Sequence, residues 1–387
     1  MPSDVIPRRF RRVEQPFVGG NEVLLHRDGA EAYPAMLEAI YGAREQILLE
    51  MYWFASDRAG RRFADALAAA AARGVEVAVL YDAVGSIGAD PAMWTELRRA
   101  GVQVVEFGPV APWRRRFRLE RLTRRDHRKI LVVDGEIGFT GGCNIANAWL
   151  SLEDGGAAWR DDMVSVRGPA VRGLLLSALG IWRRVGGPPL LRIRRSEPGL
   201  DPAGGMRVNV LGEASFLREQ REISRAYVRE LYRARQRAWI RNAYFVPDRA
   251  VRRALGHAAG RGVDVRVLVP GESDVEVVRH ASRATWGYLL RHGVRIFEFE
   301  SRILHAKSAV IDGRFSTIGT FNLDYLSLRS NLEINVSVDD EVFGATMEGS
   351  FLRDLEASRE IDQNAFRYRP LGERLFELVA YRFRKFL

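Results

Sequence analysis

The chain has 387 residues, enough for two domains that each bury a core, and 47% hydrophobic with 28% charged residues excludes a disordered or fibrous protein. A formal net charge of +10 calls for an anionic partner: nucleic acid, an acidic membrane surface or a phosphorylated substrate. Cys143 is the only cysteine, which excludes an intrachain disulfide and a thiolate-rich metal cluster and suits a reducing cytoplasm.

Residues 1–20 read as a basic tail, with Arg8, Arg9, Arg11 and Arg12 but without the apolar stretch of a secretory signal. No run approaches the roughly 20 apolar residues that span a bilayer, so a protein neither integral nor exported is expected. Residues 21–185 read as a first domain. Ile47–Phe54, Arg73–Leu80 and Gly101–Phe107 are predicted strands separated by helices, one of them rich in alanine. This alternation predicts an α/β unit around a mixed or mostly parallel sheet.

A basic, aromatic stretch, Gly108–Arg125, follows the third strand and holds Trp113, Arg114, Arg115, Arg116, Phe117, Arg118, Arg121, Arg124 and Arg125. Such a segment offers a surface to anionic headgroups or a nucleic-acid backbone, or is simply a solvated basic loop. Next comes His127-x-Lys129-x4-Asp134-x6-Gly141-x-x-Asn144. Residues 186–205 are dense in glycine and proline and read as a linker.

Residues 206–365 repeat the first domain. A long helix is expected over Glu213–Ala238, with Phe216, Ile223, Tyr227, Val228 and Leu231 as its apolar stripe. Trp239–Val246, Arg261–Leu268 and Gly293–Phe299 parallel the three earlier strands, aligning Tyr244 with Tyr52. The motif then returns as His305-x-Lys307-x4-Asp312-x6-Gly319-x-x-Asn322, each residue displaced by one constant interval (305 less 127). The interval is longer at the third strand (293 less 101), so the first half carries the extra residues within its basic stretch. Residues 366–387 form a basic amphipathic segment, able to lie on an anionic membrane or to pack as a terminal helix.

Lysine usage marks the motif. The chain has lysine only at 129, 307 and 385, beside an excess of arginine, and two of the three occupy equivalent motif positions. A compact ammonium is the point charge that suits a phosphate oxygen. On a strand, His127 and Lys129 share a face about 6.6 Å apart, as do His305 and Lys307, with Arg128 pointing away. If the halves pack by a pseudo-twofold, two histidines, two lysines and the asparagines Asn144 and Asn322 converge on one pocket. That set suits a phosphodiester: lysines and asparagines hold non-bridging oxygens, one histidine attacks phosphorus, and the other protonates the leaving oxygen. No metal or other cofactor is required, and no metal-ligand cluster stands out.

The doubled motif resembles the phospholipase D superfamily, whose two repeats build one active site. Glu50-Met-Tyr52-Trp-Phe-Ala-Ser-Asp57, Tyr81-Asp82-Ala-Val-Gly85-Ser86, Trp159-Arg160-Asp161 and Asn242-Ala-Tyr244-Phe-Val-Pro247 are similar to bacterial cardiolipin synthases, in their shorter form without N-terminal transmembrane helices. The resemblance implies two tandem α/β repeats and phosphatidyl transfer through a phosphohistidine, with His127 as nucleophile and His305 as acid/base. Lys129, Lys307, Asp134 and Asp312 complete the catalytic motif set, although the aspartates more often stabilise the loop than touch substrate. Thr320 joins Asn144 and Asn322 as substrate-binding; its counterpart is Gly142, which lacks a hydroxyl. Acidic residues downstream orient the histidines in relatives, and here Asp161 and Glu333 fit that role.

The implied partners are an anionic phospholipid, phosphatidylglycerol, and a membrane surface, with no nucleic acid. The implied location is the bacterial cell membrane, peripheral and on its cytoplasmic face. The alternative activity is a phospholipase D or nuclease-type phosphodiesterase that uses water as acceptor. A third reading is a non-catalytic anionic-lipid or nucleic-acid binding protein; both histidines and both lysines are intact, which favours an enzyme. His26, His257, His280 and His292 are expected at surface or core positions, and Cys143 as a small packed residue. Tyr52 and Tyr244 are either core aromatics or pocket residues.

Overall fold

The computed structural model describes residues 6–7, 10, 16–110, 124–190, 202–212 and 219–386. In chain order, the first half comprises β1 (Val18–Arg27), α1 (Asp28–Gly42), β2 (Gln46–Met51), α2 (Arg58–Ala72), β3 (Glu76–Asp82), α3 (Pro91–Arg99), β4 (Gln103–Phe107), β5 (Lys129–Val133), β6 (Ile137–Gly141), β7 (Asp162–Arg167) and α4 (Val171–Arg184). The second half comprises β8 (Met206–Leu211), α5 (Glu219–Arg233), β9 (Arg237–Asn242), α6 (Arg249–Gly260), β10 (Asp264–Pro270), α7 (Glu276–Arg291), β11 (Arg295–Phe299), β12 (Lys307–Ile311), β13 (Phe315–Gly319), α8 (Tyr325–Arg329), β14 (Asn335–Asp339), α9 (Glu341–Glu356), β15 (Ser358–Glu360), α10 (Gln363–Arg367) and α11 (Leu371–Arg382).

All these strands join one sheet, ordered β15-β11-β10-β9-β12-β13-β14-β8-β1-β7-β6-β5-β2-β3-β4. The sheet is mixed. Only the strands linked by crossover helices, β2-β3-β4 and β9-β10-β11, run parallel. The motif strands and everything between them pair antiparallel, and the halves meet where β1 pairs with β8.

Strand alternation sorts the apolar residues into three cores. Leu48, Leu80, Ile130 and Val132 from the first half share a core with Trp239, Leu268 and Val310 from the second, under α4 and α9. Their sequence neighbours Ile47, Leu49, Val79 and Leu131 face the opposite way, beneath α1, α2 and α3. Ile240, Val267 and Ala309 do the same beneath α5, α6 and α7. Strands covered on both faces explain the unbroken apolar runs after each His-x-Lys.

Several details differ from the sequence expectations. The boundary drawn at residue 20 falls inside β1, and Ile6 and Phe10 are buried against the second-half core. The long helix ends at Arg233, and β9 begins by Arg237. Residues 111–123 of the basic stretch, 191–201 of the linker and 213–218 before the long helix lie outside the described residues. Arg125, at the end of the basic stretch, is not a surface group: it is buried and paired with Asp82 at 2.9 Å. Among the described residues no helix is long and apolar enough to cross a membrane.

Candidate active site

The pocket forms at the carboxyl ends of the parallel strands. Antiparallel pairing sets Lys129 opposite Met51 at the end of β2, and Lys307 opposite Asn242 at the end of β9. Tyr52 therefore lies beside Lys129, and Tyr244 beside Lys307. Each tyrosine meets its own half's histidine edge-on, with centroids 4.9 Å apart for Tyr52–His127 and 6.2 Å for Tyr244–His305. The lysine Nζ atoms lie 5.0 Å and 5.8 Å from those ring centroids, within cation–π range. Both tyrosines are thus pocket residues. The Tyr244 hydroxyl also donates to Asp274 Oδ2 at 2.6 Å.

Two backbone crossings bring the halves together. His127 N donates to Leu332 O at 3.0 Å and Leu332 N to Arg125 O at 2.8 Å. In mirror fashion, Arg160 N donates to Ile303 O at 2.8 Å and His305 N to Arg160 O at 2.7 Å. The acid following each crossing segment consequently serves the histidine of the other half. Glu333 lies 3.0 Å from His127 Nδ1, and Asp161 Oδ2 lies 2.8 Å from His305 Nδ1. Chain proximity, which sets Asp161 after His127 and Glu333 after His305, conceals this exchange.

Each acid is held by a second donor that the motif does not contain. Trp149 Nε1 donates to Asp161 Oδ2 at 2.9 Å, and Ser327 Oγ donates to Glu333 Oε1 at 2.7 Å. Trp149 and Ser327 stand at the same interval as the motif residues (327 less 149), so the repeat contained a signal for them. Thr320 is buried and donates to Glu333 Oε2, which makes it a support of the carboxylate, not a group aimed at substrate. At the equivalent Gly142, a Cβ would overlap the Asp161 carboxylate. The shorter aspartate needs the glycine; the longer glutamate leaves room for the threonine.

The asparagines divide. Asn144 Oδ1 accepts from Trp53 N at 3.1 Å, tying the Tyr52 loop to the Gly-Gly-Cys-Asn turn. Asn322 is buried, yet its Oδ1 has no hydrogen-bond partner. Asp134 and Asp312 are far from the pocket, at the opposite ends of β5 and β12. Asp134 accepts from the amides of Arg44, Glu45 and Gln46 at 2.8–2.9 Å, and Asp312 from those of Arg235, Gln236 and Arg237 at 2.8–3.2 Å. With φ of 52° and 53°, each opens a tight turn completed by a positive-φ glycine, Gly135 or Gly313. Although they belong to the motif, these contacts make them turn anchors, the loop-stabilising role expected of them.

Burial governs the electrostatics. It pushes the His127 pKa below the ordinary imidazole value; the Glu333 carboxylate opposes this and Lys129 reinforces it. His305 is driven well below that value by burial and then by Lys307. Burial and the neighbouring Lys307 charge bring Lys129 down to about 7, and burial lowers Lys307 as well. Asp161 is raised by burial to about 6. Burial also raises Glu333, but the His127 charge and hydrogen bonds from His127, Thr320 and Ser327 outweigh it, leaving its pKa below the usual glutamate value. Each imidazole has its Nδ1 held by an acid, which directs its Nε2 to nucleophilic or acid/base work, and the lowered pKa favours the neutral form that a nucleophile needs.

Beneath the pocket, a buried ionic cluster joins the halves. Asp354 on α9 pairs with Arg160 at 2.8 Å, Arg241 at 2.7 Å and Arg27 at 2.8 Å, while Asp162 pairs with Arg160 at 2.8 Å and Arg241 at 3.1 Å. None of the remaining histidines joins the site. His26, for example, contacts Ser165, and His280 packs on Phe376. Among the described residues, no group of three or more His, Cys, Asp or Glu is arranged to hold a metal.

Known proteins are similar to this chain. A family model described as "cardiolipin synthase, PLD-like domain" matches residues 36–155 and 227–355, one match per repeat. A cardiolipin synthase of Geobacillus sp. (strain WCH70) is 35% identical over 370 residues, covering 95% of this chain and 72% of its own. Cardiolipin synthase A of Pseudomonas syringae pv. syringae (strain B728a) is 36% identical over 375 residues, covering 94% and 76%. The crystal structure of phosphatidylserine synthase from Haemophilus influenzae Rd KW20 shares the fold with a TM-score of 0.71 over 97% of this chain and 98% of that one, at 14% identity. The doubled motif, the mixed sheet and these matches make the chain an enzyme of the phospholipase D superfamily, belonging to its cardiolipin synthase, PLD-like domain family.

Proposed function

We propose that this protein is a cardiolipin synthase, with residues 21–185 and 206–365 acting as one catalytic unit at the cytoplasmic face of a bacterial membrane. His127 Nε2 attacks the phosphorus of a donor phosphatidylglycerol. The bond to the headgroup oxygen breaks as His305, cationic for this step with its Nδ1–H held by Asp161, gives that oxygen its Nε2 proton, releasing glycerol. His305 then takes the proton of a hydroxyl on a second phosphatidylglycerol, whose oxygen displaces His127 and completes the product. Lys129 and Lys307 stabilise the phosphoryl oxygens as negative charge develops, and the side-chain N–H groups of Asn322 donate to the same oxygens. The observation that carries this reading is the crossed pair of acid–histidine contacts, His127–Glu333 and His305–Asp161, set in one pocket with both lysines.

Incubation of the purified protein with phosphatidylglycerol vesicles, followed by lipid chromatography, tests the reading. Cardiolipin with free glycerol is the expected outcome. Phosphatidic acid without cardiolipin would replace transfer by hydrolysis.

Two further results are expected from the same assay. Because the Lys129 pKa lies at about 7, kcat/KM should fall as pH rises above that value and the ammonium loses its charge. In Lys129→Arg the alkaline limb should move upward even as the maximum drops, since guanidinium stays charged. An unmoved limb would show that another group titrates. Gly142→Ala should push Asp161 away from His305 and lower kcat by about 100-fold. A wild-type rate in that variant would remove Asp161 from the His305 role.

A further inference from the structure

Helix α11 reverses the usual arrangement of a surface helix. Its inward face is ionic: Glu377 is 1% exposed, paired with Arg283 of α7 at 2.9 Å and with Arg369 at 2.5 Å. Its outward face is apolar. Leu371, Leu375, Leu378 and Val379 stand 77%, 65%, 62% and 48% exposed, at the i, i+4, i+7 and i+8 spacing of one helical stripe. Phe386 continues that surface beyond the helix. Soluble monomers rarely leave such a contiguous apolar surface uncovered.

The surroundings specify the occupant. Arg367, Arg374, Arg382 and Lys385 are exposed around the stripe, and Glu373 is the one exposed acid on the helix. Apolar side chains framed by cations match the boundary between acyl chains and anionic headgroups. The helix also adjoins the pocket. Ala380 and Tyr381 pack with Val246, Val278 and Tyr244, and the Tyr244 ring lies against His305.

We propose that α11 docks the protein on an anionic phospholipid bilayer, its outward face entering the interface while the Glu377 ion pairs fasten it to α7. A bilayer held there lies across α11 from Tyr244, which brings the lipid surface to the side of the molecule where Tyr244 and His305 lie. The choice of a bilayer as occupant rests on the phospholipid reading of the pocket; the exposed stripe itself does not.

The test is co-sedimentation of the full chain with vesicles of equal parts phosphatidylglycerol and phosphatidylcholine, and with phosphatidylcholine alone. The wild type should bind the anionic vesicles preferentially, with affinity falling as salt rises. The triple variant Leu375→Ser, Leu378→Ser, Val379→Ser should bind them at least tenfold more weakly. Its far-ultraviolet circular dichroism and its turnover of monomeric short-chain phosphatidylglycerol should match the wild type, since these side chains support neither core nor pocket. Unchanged vesicle binding by the triple variant would overturn the proposal. So would a wild-type dimer that the variant dissociates while vesicle binding persists, because the stripe would then be a subunit interface. If neither protein turns over monomeric lipid but the variant still loses vesicle binding, the assigned activity fails and the docking surface stands.

Discussion

His127→Ala should lower phosphatidylglycerol turnover by about 10⁴-fold or more, and His305→Ala by a comparable factor, because in the proposed mechanism nucleophile and proton donor act in one step. A phosphodiester with a p-nitrophenolate leaving group separates the two roles. That leaving group needs no proton, so His305→Ala should still release one equivalent of p-nitrophenol in a burst and hold the phosphoryl group on His127. His127→Ala should show no burst. A burst from His127→Ala and none from His305→Ala would exchange the two assignments, and turnover within tenfold of wild type in both would dismiss them. The crossed acids extend the test: with Nδ1 held by Glu333, the imidazole of His127 presents Nε2 to phosphorus, so Glu333→Gln should damage the burst, whereas Asp161→Asn should damage the proton transfer at His305.

Asp354→Ala should cost about 3–5 kcal/mol of stability, because it strips Arg160, Arg241 and Arg27 of a shared carboxylate in the interior and leaves Asp162 as the main remaining counter-charge. The denaturant midpoint checks this. A shift worth less than about 1 kcal/mol would mean that water or rearranged side chains compensate the arginines. Activity should fall as well, since Arg160 directly precedes Asp161 and its backbone carbonyl accepts from His305 N. Restoring the fold with osmolyte should recover only part of the rate.

Much of the site was legible because the chain states it twice. A constant interval between His127 and His305, and between Lys129 and Lys307, cannot come from local propensity, and it marks the residues that meet in the pocket. The same interval joins Trp149 to Ser327, but one is an indole and the other a hydroxyl. A search for identical residues passes over donors that are equivalent only in what they donate to. The aspartates recur for a different reason. Asp134-Gly135 and Asp312-Gly313 are turn dipeptides, and a tight hairpin needs them as strongly as a catalytic site would.

The sequence by itself determined the repeat, the mixed α/β class and the pocket's histidines and lysines, because strand alternation and motif spacing are local properties of the chain. Tertiary structure alone decided which acid serves which histidine. It also decided that Thr320 supports Glu333, that Arg125 is a buried partner of Asp82, and that α11 turns its apolar side outward. The Thr320 and Arg125 pairs depend on contacts between separate segments of one half, the outward face of α11 on its packing against α7, and the acid–histidine exchange on contacts across the joint between the halves. A backbone crossing can exchange partners there without altering any local pattern.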